Sequence, residues 1–264
     1  PSSPRCTHRR QRQMCIRDRV KAALACLWAL IAAPALAEPC RLSLALALDV
    51  SGSVDQREYQ LQASGLASAL NDAEVRDVLF ALPDAPVALA IYEWSASNYQ
   101  RLVQDWILIS DEAVLAGVVA RLNALQRAPA PEPTGLAAAL AYGKRLIDAG
   151  PACWSQTLDV SGDGKNNDWP TPQQLRKSNV LAGLRINALV VVEDRDEERA
   201  GARETGELPA YFNTQVIQGP GAFVEVARGF EDYTRAMKRK LLRELATQPL
   251  GSLNHDSRDF PRRF

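Results

Sequence analysis

The 264-residue chain carries 31 Lys and Arg against 31 Asp and Glu, but seven of the basic residues and only one acidic residue fall within positions 1–37, leaving 24 basic and 30 acidic residues beyond them. An acidic balance without a basic block argues against nucleic acid as a partner. Of the two histidines only His255 lies past residue 37, in a polar tail, which removes a Ser-His-Asp triad, a Cys-His pair and a His-rich zinc site from consideration.

Residues 1–19 resemble neither a leader nor a domain, and Met14 to Arg19 looks like translated adaptor sequence, so this stretch is set aside as non-native or unstructured. Residues 20–37, VKAALACLWALIAAPALA, form an apolar run that ends in Ala-Leu-Ala and is flanked by Arg17, Arg19 and Lys21. This is the pattern of an export signal cleaved after Ala37. The run is broken by Pro34 and falls short of the ~20 apolar residues of a spanning helix. The expectation is a periplasmic or secreted protein with no transmembrane segment in its mature part. A folded domain is expected over residues 38–248 and a flexible polar tail over 249–264.

The domain opens on Leu42 to Leu48, a continuous apolar run suited to a strand buried on both faces. Asp49-Val-Ser-Gly-Ser53 ends it, and a helical stretch follows from Asp55 to Leu82, broken near Asn71-Asp72. Val87 to Trp94 is a second strand, and Arg101 to Ile109 a third, joined to it by a link short enough for an antiparallel hairpin. Asp111 caps a helix to Leu125. The stiff segment Pro129-Ala-Pro-Glu-Pro133 leads to Thr134, which opens another helix closed by Gly150. Trp154 to Val160 is a fourth strand, followed by the polar loop Ser161-Gly-Asp-Gly-Lys-Asn-Asn-Asp168. A helix over Thr171 to Leu184, a strand over Ile186 to Val192, a charged loop or short helix over Glu193 to Leu208, a short strand over Ala222 to Val226 and a last helix over Phe230 to Ala246 complete the domain. Phe230, Tyr233, Met237, Leu241 and Leu245 form the core stripe of that helix. Alternation of strand and helix predicts an α/β fold: a doubly wound, mostly parallel, six-stranded sheet with helices on both faces and one antiparallel edge strand.

In such a sheet, ligands bind beyond the carboxyl ends of the strands, where the strand order switches. Asp49, Ser51 and Ser53 follow the first strand, Thr134 starts a helix, and Asp163 follows the fourth strand. This ordered trio, Asp-x-Ser-x-Ser, Thr-Gly and Asp-Gly, resembles the von Willebrand factor type A (VWA) domain with its metal-ion-dependent adhesion site. The resemblance covers about residues 40–247, and ALDVSGSVD, EWS, LDVSGDGKNN and GPGAFV are similar to a bacterial subfamily of unknown function within that group. It implies one divalent cation, Mg²⁺ with Mn²⁺ or Ca²⁺ as alternatives, held by Asp49, Ser51, Ser53, Thr134 and Asp163. It also implies a protein or peptide partner whose carboxylate completes the cation's shell, and no enzymatic activity. The donor types suit a hard cation: two carboxylates roughly neutralise it, and three hydroxyls add neutral oxygens. Gly52 is expected to relieve crowding, and Gly162 and Gly164 to let the second loop turn sharply.

Other readings of the same residues stand beside this one. Ser51 and Ser53 could cap the first long helix, Thr134 could cap its own, and Asp163 could stabilise a turn. Asn166, Asn167 and Asp168 read as turn and surface residues. Glu93 is a candidate to support the site from the next shell out, and the role of Asp159 is open. Asp159 to Gly164 imitates half an EF-hand loop, but Pro170 stands at its twelfth position and a strand precedes it. A metal-stabilised scaffold and a metal-dependent hydrolase are the competing functions; the second lacks an activated nucleophile and a second carboxylate cluster.

Cys40 and Cys153 are the two cysteines beyond residue 37, and two in an exported chain suggest one disulfide. In the VWA fold the first and fourth strands are parallel neighbours. Cys40 lies nine residues before Asp49 and Cys153 ten before Asp163, so if both aspartates share one metal the two cysteines come level at the opposite edge. Neighbouring strands ~4.8 Å apart put them within bonding reach.

Overall fold

The computed structural model describes residues 39–192 and 206–246; the expected leader, export signal and polar tail, and most of the charged segment after Val192, lie outside them. Six strands form one sheet: β1 (Leu42–Asp49), β2 (Val87–Trp94), β3 (Gln100–Ile109), β4 (Ser155–Gly162), β5 (Arg185–Val192) and β6 (Val224–Arg228), in the order β3-β2-β1-β4-β5-β6. All neighbours pair in parallel except β2 and β3, the antiparallel hairpin at the edge. Among the described residues the helices are α1 (Gln56–Leu70), α2 (Ala73–Leu79), α3 (Glu112–Asn123), α4 (Leu136–Asp148), α5 (Pro172–Lys177), α6 (Glu207–Tyr211) and α7 (Tyr233–Ala246). A single π turn over Phe212–Val216 continues α6, and a 3₁₀ turn over Phe230–Asp232 leads into α7.

The sequence of β1 fixes how each face is covered. Side chains alternate across a strand, so Leu42, Leu44, Leu46 and Leu48 enter one core with Tyr59, Leu66 and Leu70 of α1, Val118 and Leu122 of α3, and Met237 and Leu241 of α7. Ala45 and Ala47 face the other way, into a core with Leu136 and Leu140 of α4, Leu158, Val160 and Phe212. The small residues let α4 lie close to the sheet. A Cβ on Gly143 would come within 2.6 Å of Leu158 and of the Tyr92 hydroxyl, which already bonds the Ala139 carbonyl. Each fully buried leucine contributes about 1.5–3 kcal/mol, so the leucine face supplies much of the driving force and the alanine face the closeness.

The disulfide expected from the sequence is present: Cys40 and Cys153 are bonded, with Cα atoms 4.7 Å apart, just before β1 and β4. Several elements differ from expectation: the sixth strand lies two residues later than expected, at Val224–Arg228, the helical stretch from Glu207 continues to Val216, and two further differences have a clear cause or consequence. The helix expected over 171–184 is α5, only Pro172–Lys177, with Thr171 and Gln174 in a capping box. It stops because Asn179 adopts a φ of 59° and Gly183 one of 76°, left-handed conformations that a helix cannot pass through. The fourth strand runs two residues further than expected, to Gly162, which carries Ser161 into the ladder.

Candidate metal centre

The strand order reverses between β1 and β4, and the loops that leave their carboxyl ends meet there. Asp49 is the last residue of β1, Asp163 the first after β4, and Thr134 comes from the segment preceding α4. The structure brings all five sequence-predicted residues together. Ser53 Oγ donates to Asp163 Oδ1 at 2.8 Å. Ser51 Oγ lies 3.3 Å from Ser53 Oγ and accepts from Thr134 Oγ1 at 3.5 Å. The Ser51 amide donates to Asp49 Oδ1 at 2.8 Å. Asp49, Ser51 and Thr134 form a buried floor, while Ser53 is exposed and Asp163 partly so, giving a mouth open to solvent.

Neither serine caps α1. That role belongs to Asp55, whose carboxylate accepts from the Glu58 amide at 2.8 Å while Glu58 accepts from the Asp55 amide. Thr134 does not cap α4 either; the cap position is Gly135 and carries no side-chain bond. The hydroxyls of Ser51, Ser53 and Thr134 are therefore turned toward one another and the two carboxylates rather than spent on helix ends.

Backbone contacts hold the three loops. The Gly52 amide donates to the Glu132 carbonyl at 2.9 Å, and a Cβ on Gly52 would meet Glu132 Cα at 3.0 Å, so glycine here does relieve crowding. The Gly135 amide donates to Ser95 O at 2.7 Å, and a Cβ on Gly135 would sit 2.5 Å from the Ser97 nitrogen. Only glycine lets the start of α4 press onto the end of β2 and so bring Thr134 over Ser51. For Gly162 and Gly164 the expected reason is corrected: neither has positive φ. Gly162 leaves room instead, since a Cβ there would stand 3.2 Å from the Phe212 ring and 3.4 Å from Asp49 Oδ2.

Three residues read from sequence as turn and surface positions build the site. Asn167 Oδ1 accepts from the Thr134 amide at 2.7 Å and the Asn167 amide donates to Thr134 O at 3.1 Å. Asn166 Oδ1 accepts from the Ala137 amide at 3.0 Å, and Asp168 Oδ2 from the Ser97 amide at 2.7 Å. The loop after β4 is thereby laced to the start of α4 and to the end of β2. The available signal is the run Asn166-Asn167-Asp168, rich in side chains that bond backbone, three residues after Asp163. Glu93 does something other than support the site. It is buried, accepts from Tyr59 Oη at 2.6 Å and from Arg101 at 2.6 and 2.8 Å, and fixes α1 and β3 to β2. Burial and the Glu93 charge together push the Tyr59 hydroxyl well up from its ordinary range.

The electrostatics of the centre are unbalanced. Asp49 is raised well above the ordinary carboxylate range, first by burial and then by the charge of Asp163, despite hydrogen bonds from Ser51 and from the Asp163 backbone. Asp163 is raised too, chiefly by burial, with Glu58 adding to it. Asp49 Oδ2 is buried and accepts no hydrogen bond, a costly arrangement for a carboxylate oxygen. An all-oxygen cluster of two carboxylates and three hydroxyls, with one orphaned buried oxygen, matches what a hard divalent cation requires.

The chain has the fold of von Willebrand factor type A domains. A von Willebrand factor type A domain from Catenulispora acidiphila aligns with a TM-score of 0.52 and 16% identity over 78% of this chain and 43% of that one. Proximal thread matrix protein 1 from the mussel byssus aligns at 0.53 and 12% identity over 78% and 46%, and a further structure of it, with a zinc-occupied MIDAS motif, at 0.52 and 11% over the same shares. The pilus adhesin SpaC of Lactobacillus rhamnosus GG aligns at 0.52 and 10% over 78% and 30%. The chain thus spans less than half the length of each of these proteins. No curated protein matches it in sequence. Within this fold the chain belongs to the family described as "Protein of unknown function (DUF1194)", whose model matches residues 39–249.

Proposed function

We propose that the chain is an exported binding domain that holds one divalent cation, Mg²⁺ or a similar hard ion, at Asp49, Ser51, Ser53, Thr134 and Asp163, and engages a protein or peptide partner through it. The observation that carries this reading is the buried, undonated Asp49 Oδ2 beside a second carboxylate and three convergent hydroxyls. Asp49, Ser51 and Thr134 would hold the ion from below, and Ser53 and Asp163 from the mouth. Bound there, the cation supplies a Lewis-acidic position that a carboxylate from a partner can occupy. The zinc-occupied motif of the byssus matrix protein and the adhesin role of the pilus protein support the reading by analogy of fold.

Binding is favoured over catalysis. Among the described residues no group of three or more His, Cys, Asp or Glu could hold a metal, and the hydroxyl–carboxylate pair at the mouth, Ser53 donating to Asp163, belongs to the five donors assigned to the cation. An extracytoplasmic location accords with the disulfide. Among the described residues no helix is long and apolar enough to cross a membrane. Calorimetry with Mg²⁺ and Mn²⁺ tests the cation: one site per chain is expected in the wild type and none in Asp163→Ala. A pull-down from envelope extract, with and without chelator and with Asp49→Ala, tests the partner. A partner retained equally under all conditions contradicts metal-bridged recognition, and phosphoester turnover abolished by Asp163→Ala would favour the hydrolase.

A further inference from the structure

A concavity lies at the opposite end of the sheet from the cation centre, at the amino ends of β4 and β5. Its volume is about 280 Å³, and Cys153, Trp154, Ser155, Gln156, Arg185 and Pro220 line it. Among the described residues Arg185 is its one charged side chain, and no Asp or Glu faces into it.

Local structure fixes both of its walls. On one side the Cys40–Cys153 bond ties the chain before β4 to the chain before β1. The Trp154 amide donates to Cys40 O at 3.0 Å, and the Ser155 amide and hydroxyl each donate to Arg41 O at 3.1 Å. On the other side the backbones of Ile186 and Gln218 exchange hydrogen bonds of 2.8 and 3.1 Å, and Gln218 Nε2 donates to Leu181 O at 2.6 Å. Gly219 has a φ of 92°, and a Cβ there would meet Arg185 Cα at 3.1 Å, so glycine lets the next residue, Pro220, reach the rim.

This frame leaves Arg185 unserved. Its Nε is buried and has no hydrogen-bond partner, and no carboxylate lines the cavity to meet its charge. A buried donor on a charged group is costly to leave without an acceptor. The guanidinium presents its donors in a rigid plane that a carboxylate can match two at a time. Trp154, 55% exposed, stands beside it and offers a large apolar ring, the kind of wall that holds a flat body. We propose that this cavity binds a small organic carboxylate with a flat apolar body, Arg185 taking the carboxylate and Trp154 the body. The site uses none of the five oxygen donors, which gather at the other end of the sheet.

The test is a benzoate titration of the full chain carrying ¹⁵N-tryptophan, followed by NMR in the presence of chelator, so that no cation can bring a carboxylate to the other centre. The Trp154 indole signal, assigned by its loss in Trp154→Phe, is expected to shift and saturate with a dissociation constant of about 1 mM or tighter. The signals of Trp94, Trp106 and Trp169 should stay in place. Arg185→Gln should weaken binding by about tenfold or more, because it removes the charged donor. Acetate and inorganic phosphate, which lack the flat body, should bind about tenfold or more weaker than benzoate. The absence of a saturable Trp154 shift, an unchanged affinity in Arg185→Gln, or phosphate bound as tightly as benzoate overturns the proposal. If Arg185→Gln does not fold, benzyl alcohol decides with wild type alone: it keeps the body and lacks the charge, so weaker binding than benzoate supports the site and equal binding refutes it.

Discussion

Cys40 and Cys153 stand on the rung that the β1–β4 ladder sets: their separation is 113 residues, the same offset that pairs Leu42 with Ser155 and Ala47 with Val160. Following that ladder to its other end places Asp49 level with Gly162, one residue before Asp163. The disulfide and the carboxylate pair therefore mark opposite ends of one strand pair, the first locking the register that the second uses.

Separation of the two ends predicts separable effects. Replacing both cysteines by serine releases a loop of over a hundred residues, nominally worth ~4–5 kcal/mol in the chain-entropy model. Denaturant unfolding should show a loss of that order, while cation affinity in the still-folded variant, measured by calorimetry, should stay within about threefold, since the ladder's hydrogen bonds continue to hold the register.

Asn167 positions Thr134 without belonging to the five oxygen donors. Asn167→Ala removes the acceptor of the Thr134 amide, and loss of such an outer partner typically lowers metal affinity by about 10–100-fold. The expected result is a weakened but measurable Mg²⁺ isotherm. An unchanged affinity would show that the Thr134 loop holds itself.

Gly135→Ala forces a methyl group to 2.5 Å from the Ser97 nitrogen. The backbone must give way, at a cost of about 1–3 kcal/mol, and Thr134 moves with it. Both thermal stability and cation affinity should fall, in contrast to Gly117→Ala, where an added Cβ meets nothing within 4 Å.

Glu93→Gln tests the reassignment of that residue. It removes the charge that pairs with the part-exposed Arg101 and weakens the bond from Tyr59, so stability should drop by about 1–3 kcal/mol. Mg²⁺ affinity of the folded fraction should be unaffected, because Glu93 bonds Tyr59 and Arg101 rather than any of the five oxygen donors.

These variants also show where the sequence was informative. The apolar run 42–48, the helix after Thr134 and the spacing of the cysteines announce a buried strand, a helix beside it and the disulfide, because each depends on local pattern or on fold-level register. The roles of Asn166, Asn167 and Asp168 depend on contacts with residues 29, 33 and 71 positions away, which no local pattern encodes. Glu93 reads as a site residue because it ends a strand near Ser95, and only side-chain direction sends it to Tyr59 and Arg101. The short α5 was hidden because Asn179 is compatible with a helix until its neighbours require a left-handed turn.

The most direct test compares the thermal stability of wild type and Asp49→Asn with and without saturating Mg²⁺. In the absence of the ion, Asp49→Asn should be the more stable, because it removes a buried charge that Asp163 opposes. With Mg²⁺ the wild type alone should gain, in proportion to ligand concentration over dissociation constant. A wild-type protein indifferent to Mg²⁺, Mn²⁺ and Ca²⁺, or an Asp49→Asn variant stabilised by them as strongly as wild type, would contradict the assignment of this cluster as the cation centre.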